Sequence, residues 1–247
     1  MKFIILFLII FLISACGGGG GGGGGETSNL TTDTNTNLVI AKPVVSSGIF
    51  PLGLIRANLL KSSSNTFSLS GIENGSVVTG SGTLTHGNLI ASVFQGMSAS
   101  QRTITLTGNI FINEKTTPIN RFVTQWFDTK NEFLGEDGWD ENIIINPSPI
   151  IPSMVRINDT GTFYTANRYS YATKNINGNK IVTYVVEADT GSTALLKIIG
   201  VERGTDNKIT STTAEHFRIT TTGEYTRIKE TLVDAVSTLT IIYANIN

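Results

Sequence analysis

The stretch Thr103-Ile104-Thr105-Leu106-Thr107-Gly108-Asn109-Ile110-Phe111-Ile112 decides the class of fold. Its even positions from 104 to 112 carry Ile, Leu, Gly, Ile and Ile, whereas positions 103, 105, 107 and 109 carry Thr, Thr, Thr and Asn. A period of two residues places the apolar side chains on one face, as in a β-strand that has one buried face. The stretch therefore predicts a strand.

Similar segments lie on both sides of this strand. Phe67 and Leu69 alternate with serines ahead of Asn74-Gly75, a dipeptide that favours the tight turn of a β-hairpin. The first half of the chain is predicted to contain strands near residues 66–72, 76–85, 88–95, 102–112 and 119–127. A helical stripe is found only between Leu52 and Lys61, where Leu52, Ile55 and Leu59 share one face.

The second half of the chain is predicted to be an antiparallel meander. Short turns rich in Gly, Asn and Asp separate six segments of about ten residues. These segments are 162–174, 180–188, 193–203, 208–220, 224–233 and 236–246. In 193–203 the apolar residues come in pairs, so either both faces are covered there or a β-bulge shifts the phase. Six long sequential strands favour a curved sheet or a partly closed barrel.

The prolines of Asn146 to Pro152 interrupt the strand pattern, because proline cannot donate to a central ladder. They predict a boundary between an N-terminal β subdomain, 43–145, and the C-terminal meander, 146–247. The chain contains 34 threonines and many Val and Ile, which favour strands over helices. The expected fold class is therefore all-β, with antiparallel sheets.

Charge excludes one class of partner. The chain carries 18 Lys plus Arg against 19 Asp plus Glu and has no basic run. A nucleic-acid-binding surface needs a basic stripe, so no nucleic acid partner is expected.

The N-terminus carries a targeting pattern. Lys2 precedes an apolar run from Phe3 to Ile13, which is followed by Ser14-Ala15-Cys16. The order of basic, apolar, small and Cys resembles the signal peptide of a bacterial lipoprotein, with residues 1–15 as the signal peptide. The run is too short for a transmembrane helix, which needs roughly 20 apolar residues. The resemblance implies cleavage before Cys16 and lipidation of Cys16, the only cysteine, so the folded part is expected to have no disulfide.

The segment 16–42 is expected to be a tether. Gly17 to Gly25 are consecutive glycines, and Glu26 to Asn37 is almost wholly Thr, Asn, Ser and Asp, so there is little apolar surface to bury. In lipoproteins of enteric-type bacteria an Asp after the lipidated cysteine retains the protein in the inner membrane. By the same resemblance, Gly17 points to the outer membrane, with the protein facing the periplasm or the cell surface.

Catalytic constellations are absent from the sequence. The motif Gly-x-Ser-x-Gly does not occur, and the glycine run lacks the Lys and Ser/Thr of a phosphate-binding loop. His86 and His216 are far apart and have no partner at metal-ligand spacing, so both are interpreted as ordinary surface histidines. We expect no catalytic, cofactor-binding or metal-binding residues and no cofactor, and we do not expect an enzyme.

One acidic segment, Gly135 to Asn142, contains four carboxylates and Trp139. It is interpreted as a solvated loop, with a calcium site or a sugar-stacking site as the alternatives. Phe163, Tyr164, Tyr169, Tyr171 and Tyr184 form an aromatic series that is expected to belong to the sheet core.

The sequence as a whole predicts a lipid-anchored protein of the cell envelope. The glycine-rich tether and the Ser/Thr-rich β domain resemble uncharacterised proteobacterial lipoproteins, which implies a location but no activity. A binding, adhesion or structural module is expected first, with the membrane and an unknown envelope protein or glycan as partners. The alternatives are a periplasmic carrier of a lipid or other apolar ligand, because curved sheets can enclose a cavity, and a hydrolase built on scattered Asp and Glu.

Overall fold

The computed structural model describes residues 48–138, 141–146 and 150–244. The predicted signal peptide, Cys16 and the tether lie outside the described residues, as do Trp139, Asp140 and residues 147–149. The elements are α1 Leu52–Leu59, β1 Ser63–Glu73, β2 Ser76–His86, β3 Ile90–Phe94, β4 Met97–Ile112, β5 Lys115–Phe127, β6 Phe133–Asp137, β7 Glu141–Ile145, β8 Thr160–Ser170, β9 Ile176–Ala188, β10 Thr193–Arg203, β11 Ile209–Thr220, β12 Tyr225–Asp234 and β13 Ser237–Tyr243.

The strands form one antiparallel sheet that closes into a 12-strand β-barrel. The sheet order is β2-β1-β13-β12-β11-β10-β9-β8-β7-β6-β5-β4-β3, and a further pairing of β2 with β4 closes the cylinder. β3 pairs with β4 alone and lies outside the closed ring. The all-β prediction, with its curved sheet or partly closed barrel, is confirmed.

The six-strand meander corresponds to β8–β13, each paired with the next along the chain. The two halves of the chain share one sheet, because β7 pairs with β8 and β1 pairs with β13. The five strands expected in the first half are present as β1–β5. β6 and β7 were not predicted, since their sequence lies around the segment interpreted as an acidic loop.

β10 alternates more regularly than its sequence indicates. Ala194, Leu196 and Ile198 are fully buried in the barrel, and the residues between them are half-buried on the outer face. The paired apolar residues therefore reflect a partly covered outer face, and the only register shift along the β10–β11 pairing falls later, between Glu202 and Arg203. Of the two explanations left open by the sequence, partial cover of both faces is the correct one.

Glycines allow the barrel to close. Gly82 on β2 lies opposite Gly108 on β4 in the pairing that completes the ring. A Cβ atom on Gly82 would lie within 2.9 Å of the Gly108 Cα, which is closer than Cβ atoms approach backbone. The two strands therefore meet where neither carries a side chain.

Side chains fill the barrel in two hydrophobic clusters. The first surrounds α1 and includes Phe127, Phe163 and Phe217. The second lies between the strands that close the ring and includes Leu84, Leu106 and Ile241. Most of the aromatic series belongs to the core as expected, with Phe163, Tyr164 and Tyr184 buried, whereas Tyr171 is exposed.

The two ends of the barrel differ. At the plugged end, α1 covers the interior with Leu52, Ile55 and Leu59, the stripe predicted from the sequence. Asn58 Nδ2 donates to the Gly223 carbonyl in the turn between β11 and β12, which fixes the helix over this end. The open end is formed by the opposite turns, at residues 74–75, 113–114, 171–175, 204–208 and 235–236.

Candidate functional site

A pocket of about 460 Å³ lies at the open end of the barrel. Its walls come from the turns that join β10 to β11 and β12 to β13, and its floor comes from inward residues of β8, β10 and β11. The lining residues are Arg168, Asn177, Glu202, Gly204, Thr205, Asp206, Thr210, Ser211, Asp234, Ala235 and Val236. A volume of this size matches that of small-ligand sites in proteins.

The floor of the pocket is a buried ion-pair cluster. Arg168 Nη2 lies 2.7 Å from Glu141 Oε2 and 3.1 Å from Glu202 Oε2, so one guanidinium group holds two carboxylates. Ser211 Oγ donates to Glu202 Oε2 at 2.8 Å. These contacts fix the position of the charged groups at the bottom of the pocket.

Strand register explains why these residues meet. Glu202 on β10 lies opposite Lys180 on β9 and opposite Ser211 on β11, and Ser211 lies opposite Asp234 on β12. In each of these strands the alternation that buries apolar residues deeper in the barrel continues to the open end, where polar residues occupy the inward positions. The pocket is thus formed where inward polar residues of neighbouring strands come together at the open end.

A polar chain connects the pocket floor to the plugged end. Lys180 Nζ lies 3.4 Å from Glu202 Oε1 and 3.9 Å from Glu136 Oε1. Gln125 Nε2 donates to Glu136 Oε2 at 3.0 Å, and Gln125 Oε1 accepts from Arg102 Nε at 3.3 Å. Arg102 Nη1 in turn donates to the Leu59 carbonyl, the last residue of α1, at 2.9 Å. These ion pairs and hydrogen bonds link side chains from the open end to the helix.

A second polar group, the Arg227 cluster, lies deeper in the barrel. Arg227 binds Glu215, and its guanidinium group lies over the rings of Phe217 and Tyr243. Tyr243 donates its hydroxyl proton to Glu230 Oε2 at 2.9 Å. Glu215 Oε1 and Glu230 Oε1 have no hydrogen-bond partner among the described residues, so each of these carboxyl groups is only half satisfied.

Burial changes the protonation of these carboxyl groups. Burial raises the pKa of Glu141 to about 7, and the Glu202 carboxylate adds to the increase. Burial also raises the pKa of Glu215 to about 8 and that of Glu230 to about 7, although the attraction of Arg227 opposes both shifts. In the described interior, glutamates 73, 136, 141, 202, 215 and 230 outnumber the cations 102, 168, 180 and 227 by two. Protons on two of these carboxyl groups would balance the charge near neutral pH.

The acidic segment differs from its interpretation as a solvated loop. Glu136 and Glu141 face the interior on β6 and β7, whereas Asp137, Gly138 and Asn142 are half-buried. Inside the barrel, Glu136 pairs with Lys180 on β9 and Glu141 pairs with Arg168 on β8, which compensates their buried charge. Among the residues that the structure describes, no group of three or more His, Cys, Asp or Glu has the arrangement of a metal site. The sugar-stacking alternative depends on Trp139, which lies outside the described residues.

The two histidines have different surroundings. The interpretation of His86 as a surface histidine is wrong, because it ends β2 inside the barrel with 3% of its surface exposed. Its Nδ1 shares a hydrogen bond of 3.0 Å with Ser63 Oγ. Burial, together with the charges of Arg227 and Arg102, holds the pKa of His86 well below its usual range. His216 is half-buried on the outer face of β11.

The polar interior was not predicted, although the sequence contains a sign of it. Glu202 continues the inward series Ala194, Leu196 and Ile198 in phase, and Glu215 precedes Phe217 and Ile219 in the same way. A charged residue in phase with a buried face indicates an interior position. The pairing of those charges depends on strand order, which the sequence alone does not supply.

Comparison with known proteins adds no relative. No family model matches the chain, and no curated protein or solved structure is significantly similar to it. Within the described part of the chain, no helix has the length and apolar character needed to cross a membrane.

Proposed function

We propose that this chain is a lipid-anchored lipoprotein of the outer membrane that binds a ligand at the open end of its barrel. The observation that carries the proposal is the pocket of about 460 Å³, whose charged floor is held by Arg168, Glu202 and Ser211. Rigid strands position these groups, as is typical of binding sites built on a scaffold. The lipobox-like sequence ending at Cys16 supports the anchor.

The positions of the two ends support this arrangement. The described chain begins at Gly48, and Phe50 pairs with Val155 beside the plugged end. The segment that carries Cys16 therefore joins the barrel at the plugged end, opposite the pocket. A flexible coil of the 26 residues from Gly17 to Lys42 would span about 25–30 Å. Such a tether would leave the open end free to reach envelope components away from the membrane surface.

The filled interior supports a carrier of an apolar ligand less well. Such a carrier needs an apolar cavity, but the inward positions of the described strands are occupied by two hydrophobic clusters and by ion-paired residues. A ligand that binds at the polar open end requires no rearrangement of this core.

A hydrolase is the second candidate, because Glu202 at the pocket floor and Glu141 behind it converge on Arg168. Glu141 and Glu202 both contact the same nitrogen of Arg168, and burial raises the pKa of Glu141 to about 7. A carboxylic acid and a carboxylate side by side are the groups required for general acid–base catalysis. Hydrolysis of envelope glycan fragments that is lost in Glu141→Gln would establish this candidate instead of a binding module.

The anchor is tested by Cys16→Ser. Lipidation of Cys16 predicts that the variant leaves the membrane fraction and no longer incorporates a labelled fatty acid. Full membrane retention of the variant would contradict the anchor.

The binding end is tested with a photo-crosslinking residue placed at Thr205 in the open end. The matched control carries the same residue at Ser192, an exposed turn position at the plugged end. We expect crosslinked envelope components from position 205 and none from position 192. Crosslinking from position 192 alone would contradict binding at the open end.

A further inference from the structure

Carboxylates and serines alternate around part of the open end. Glu202 lies opposite Ser211, and Ser211 lies opposite Asp234 on the next strand. Beyond Asp234, Ser237 begins β13 and lies opposite Glu73 on β1. Neighbouring strands are about 4.8 Å apart, so the backbones of Glu202 and Asp234 are roughly 10 Å apart, with Ser211 between them.

The carboxylates of this arc, which runs from Glu202 through Asp234 to Glu73, differ in whether a cation lies nearby. Glu202 contacts Arg168 and Lys180. Asp234 and Glu73, in contrast, have no cationic side chain within 4.0 Å in the part of the chain that the structure describes. The arc therefore has uncompensated negative charge on the side of Asp234.

Glu73 is a second carboxylate of this arc, and it has no described hydrogen-bond donor. Its side chain points inward at the end of β1 and is 9% exposed, yet no described residue donates a hydrogen bond to it. Burial raises the pKa of Glu73, and repulsion from Asp234 raises it further. The Glu73 carboxylate therefore adds to the negative charge beside Asp234, and no described cation compensates it.

On these observations, and resting on the proposed function as a binding module, we propose that the open-end pocket binds a small aliphatic amine. Its primary ammonium group lies between Asp234 and Ser211, with Glu73 adding negative charge from behind. The aliphatic stem lies along Ala235 and Val236, which supply the apolar part of the pocket wall.

The chemistry of the lining distinguishes this class of ligand from others. None of the described lining residues is aromatic, so a quaternary ammonium ion, which binds through aromatic faces, would find no partner. A primary ammonium group has three N–H donors, which match carboxylate and hydroxyl oxygens. Anions are disfavoured because Arg168 already holds two carboxylates. A metal ion is disfavoured because no described cluster of ligands gathers around one point.

The test is calorimetric titration of the full-length chain in mild detergent with putrescine and spermidine. We expect saturable binding of both amines and no binding of 1,4-butanediol, tetramethylammonium or succinate. Asp234→Asn should weaken amine binding at least tenfold. It should still fold, because Asn keeps the oxygen that accepts the Val236 and Ser237 backbone N–H groups.

Two further variants complete the test. Glu73→Gln should weaken binding severalfold. Asp128→Asn is the matched control, since Asp128 accepts two backbone N–H groups in a turn at the plugged end and its loss changes the net charge equally. Unchanged binding in Asp128→Asn supports the site. The absence of saturable amine binding, equal binding of butanediol, or equal weakening by Asp128→Asn would overturn the proposal. If envelope material binds the open end while amines do not, the ligand class is wrong and the proposed function stands.

Discussion

The plugged end and the open end of this barrel use their inward positions in opposite ways. At the plugged end, α1 places Leu52 and Ile55 against the core with no exposed surface. At the open end, the inward positions of β10, β11 and β12 carry Glu202, Ser211 and Asp234 around a cavity. Apolar burial stabilises a fold, whereas buried charge costs stability and is typical of functional sites. The helix and its apolar packing are therefore concentrated at one end, and the proposed binding site lies at the other.

The largest expected effect on the free energy of unfolding comes from replacing a buried arginine with methionine, once toward the plugged end and once at the open end. Arg227→Met leaves Glu215 and Glu230 buried without their nearest cation, and it should lower the free energy of unfolding by about 3–5 kcal/mol. Arg168→Met should cost less, because Lys180 still pairs with Glu202 and the adjoining pocket has room for water in place of the guanidinium group. Urea unfolding measures both changes. An equal or larger loss for Arg168→Met would remove the distinction between the two ends.

Truncation of the helix should have the next largest effect. Ile55→Ala removes a fully buried side chain and should lower the free energy of unfolding by about 3 kcal/mol. Leu54→Ala is the control on the same helix, since Leu54 is 48% exposed, and it should cost well under half as much. If the two variants unfolded at the same urea concentration, α1 would not be the plug described above.

The interior carboxyl groups predict a fall in stability as the pH rises from 6.5 to 8.5. Burial raises the pKa values of Glu141, Glu215 and Glu230 to about 7, 8 and 7, so the folded chain binds more protons than the unfolded chain in this range. The stability that these bound protons contribute is fully present below the unfolded pKa and is lost as the pH rises through each folded pKa. The free energy of unfolding falls by at most about 1.4 kcal/mol per pH unit for each group.

Urea unfolding across this pH range measures the slope, and Glu215→Gln should reduce it. The burial of His86 has the opposite effect on the pH dependence of stability, and it acts only at lower pH. Because its pKa is depressed, its contribution is lost as the pH falls below its usual value near 6.5. Stability that rises between pH 6.5 and 8.5 would mean that these carboxyl groups are ionised in the fold.

The smallest expected effect is that of calcium. Glu136 and Glu141 are already bound to Lys180 and Arg168, so they are not free to coordinate an ion. Millimolar Ca²⁺ should leave the melting temperature unchanged relative to a chelator. A saturable increase that disappears in Asp137→Asn plus Asp140→Asn would place a metal site between β6 and β7.

The sequence predicted most of the strands, because a period of two residues and the turn residues are local signals. The helix was also predictable from a local signal, since Leu52, Ile55 and Leu59 share one face. His86 and the acidic segment were misread because their surroundings come from distant strands. Glu141 faces Arg168 across the β7–β8 pairing, and His86 lies near Arg227. Such contacts depend on the order and closure of the sheet.

Amide hydrogen exchange of the full-length chain is the sharpest test of ligand binding at the open end, because it observes both ends in one experiment. The probe is the low-molecular-weight fraction of the native cell envelope. Binding at the open end predicts slower exchange in the turns 204–208 and 234–236 after this fraction is added. Exchange in α1 and in the turn 189–192 should stay unchanged. Protection confined to the plugged end, or no protection at the open end, would contradict binding at the open end.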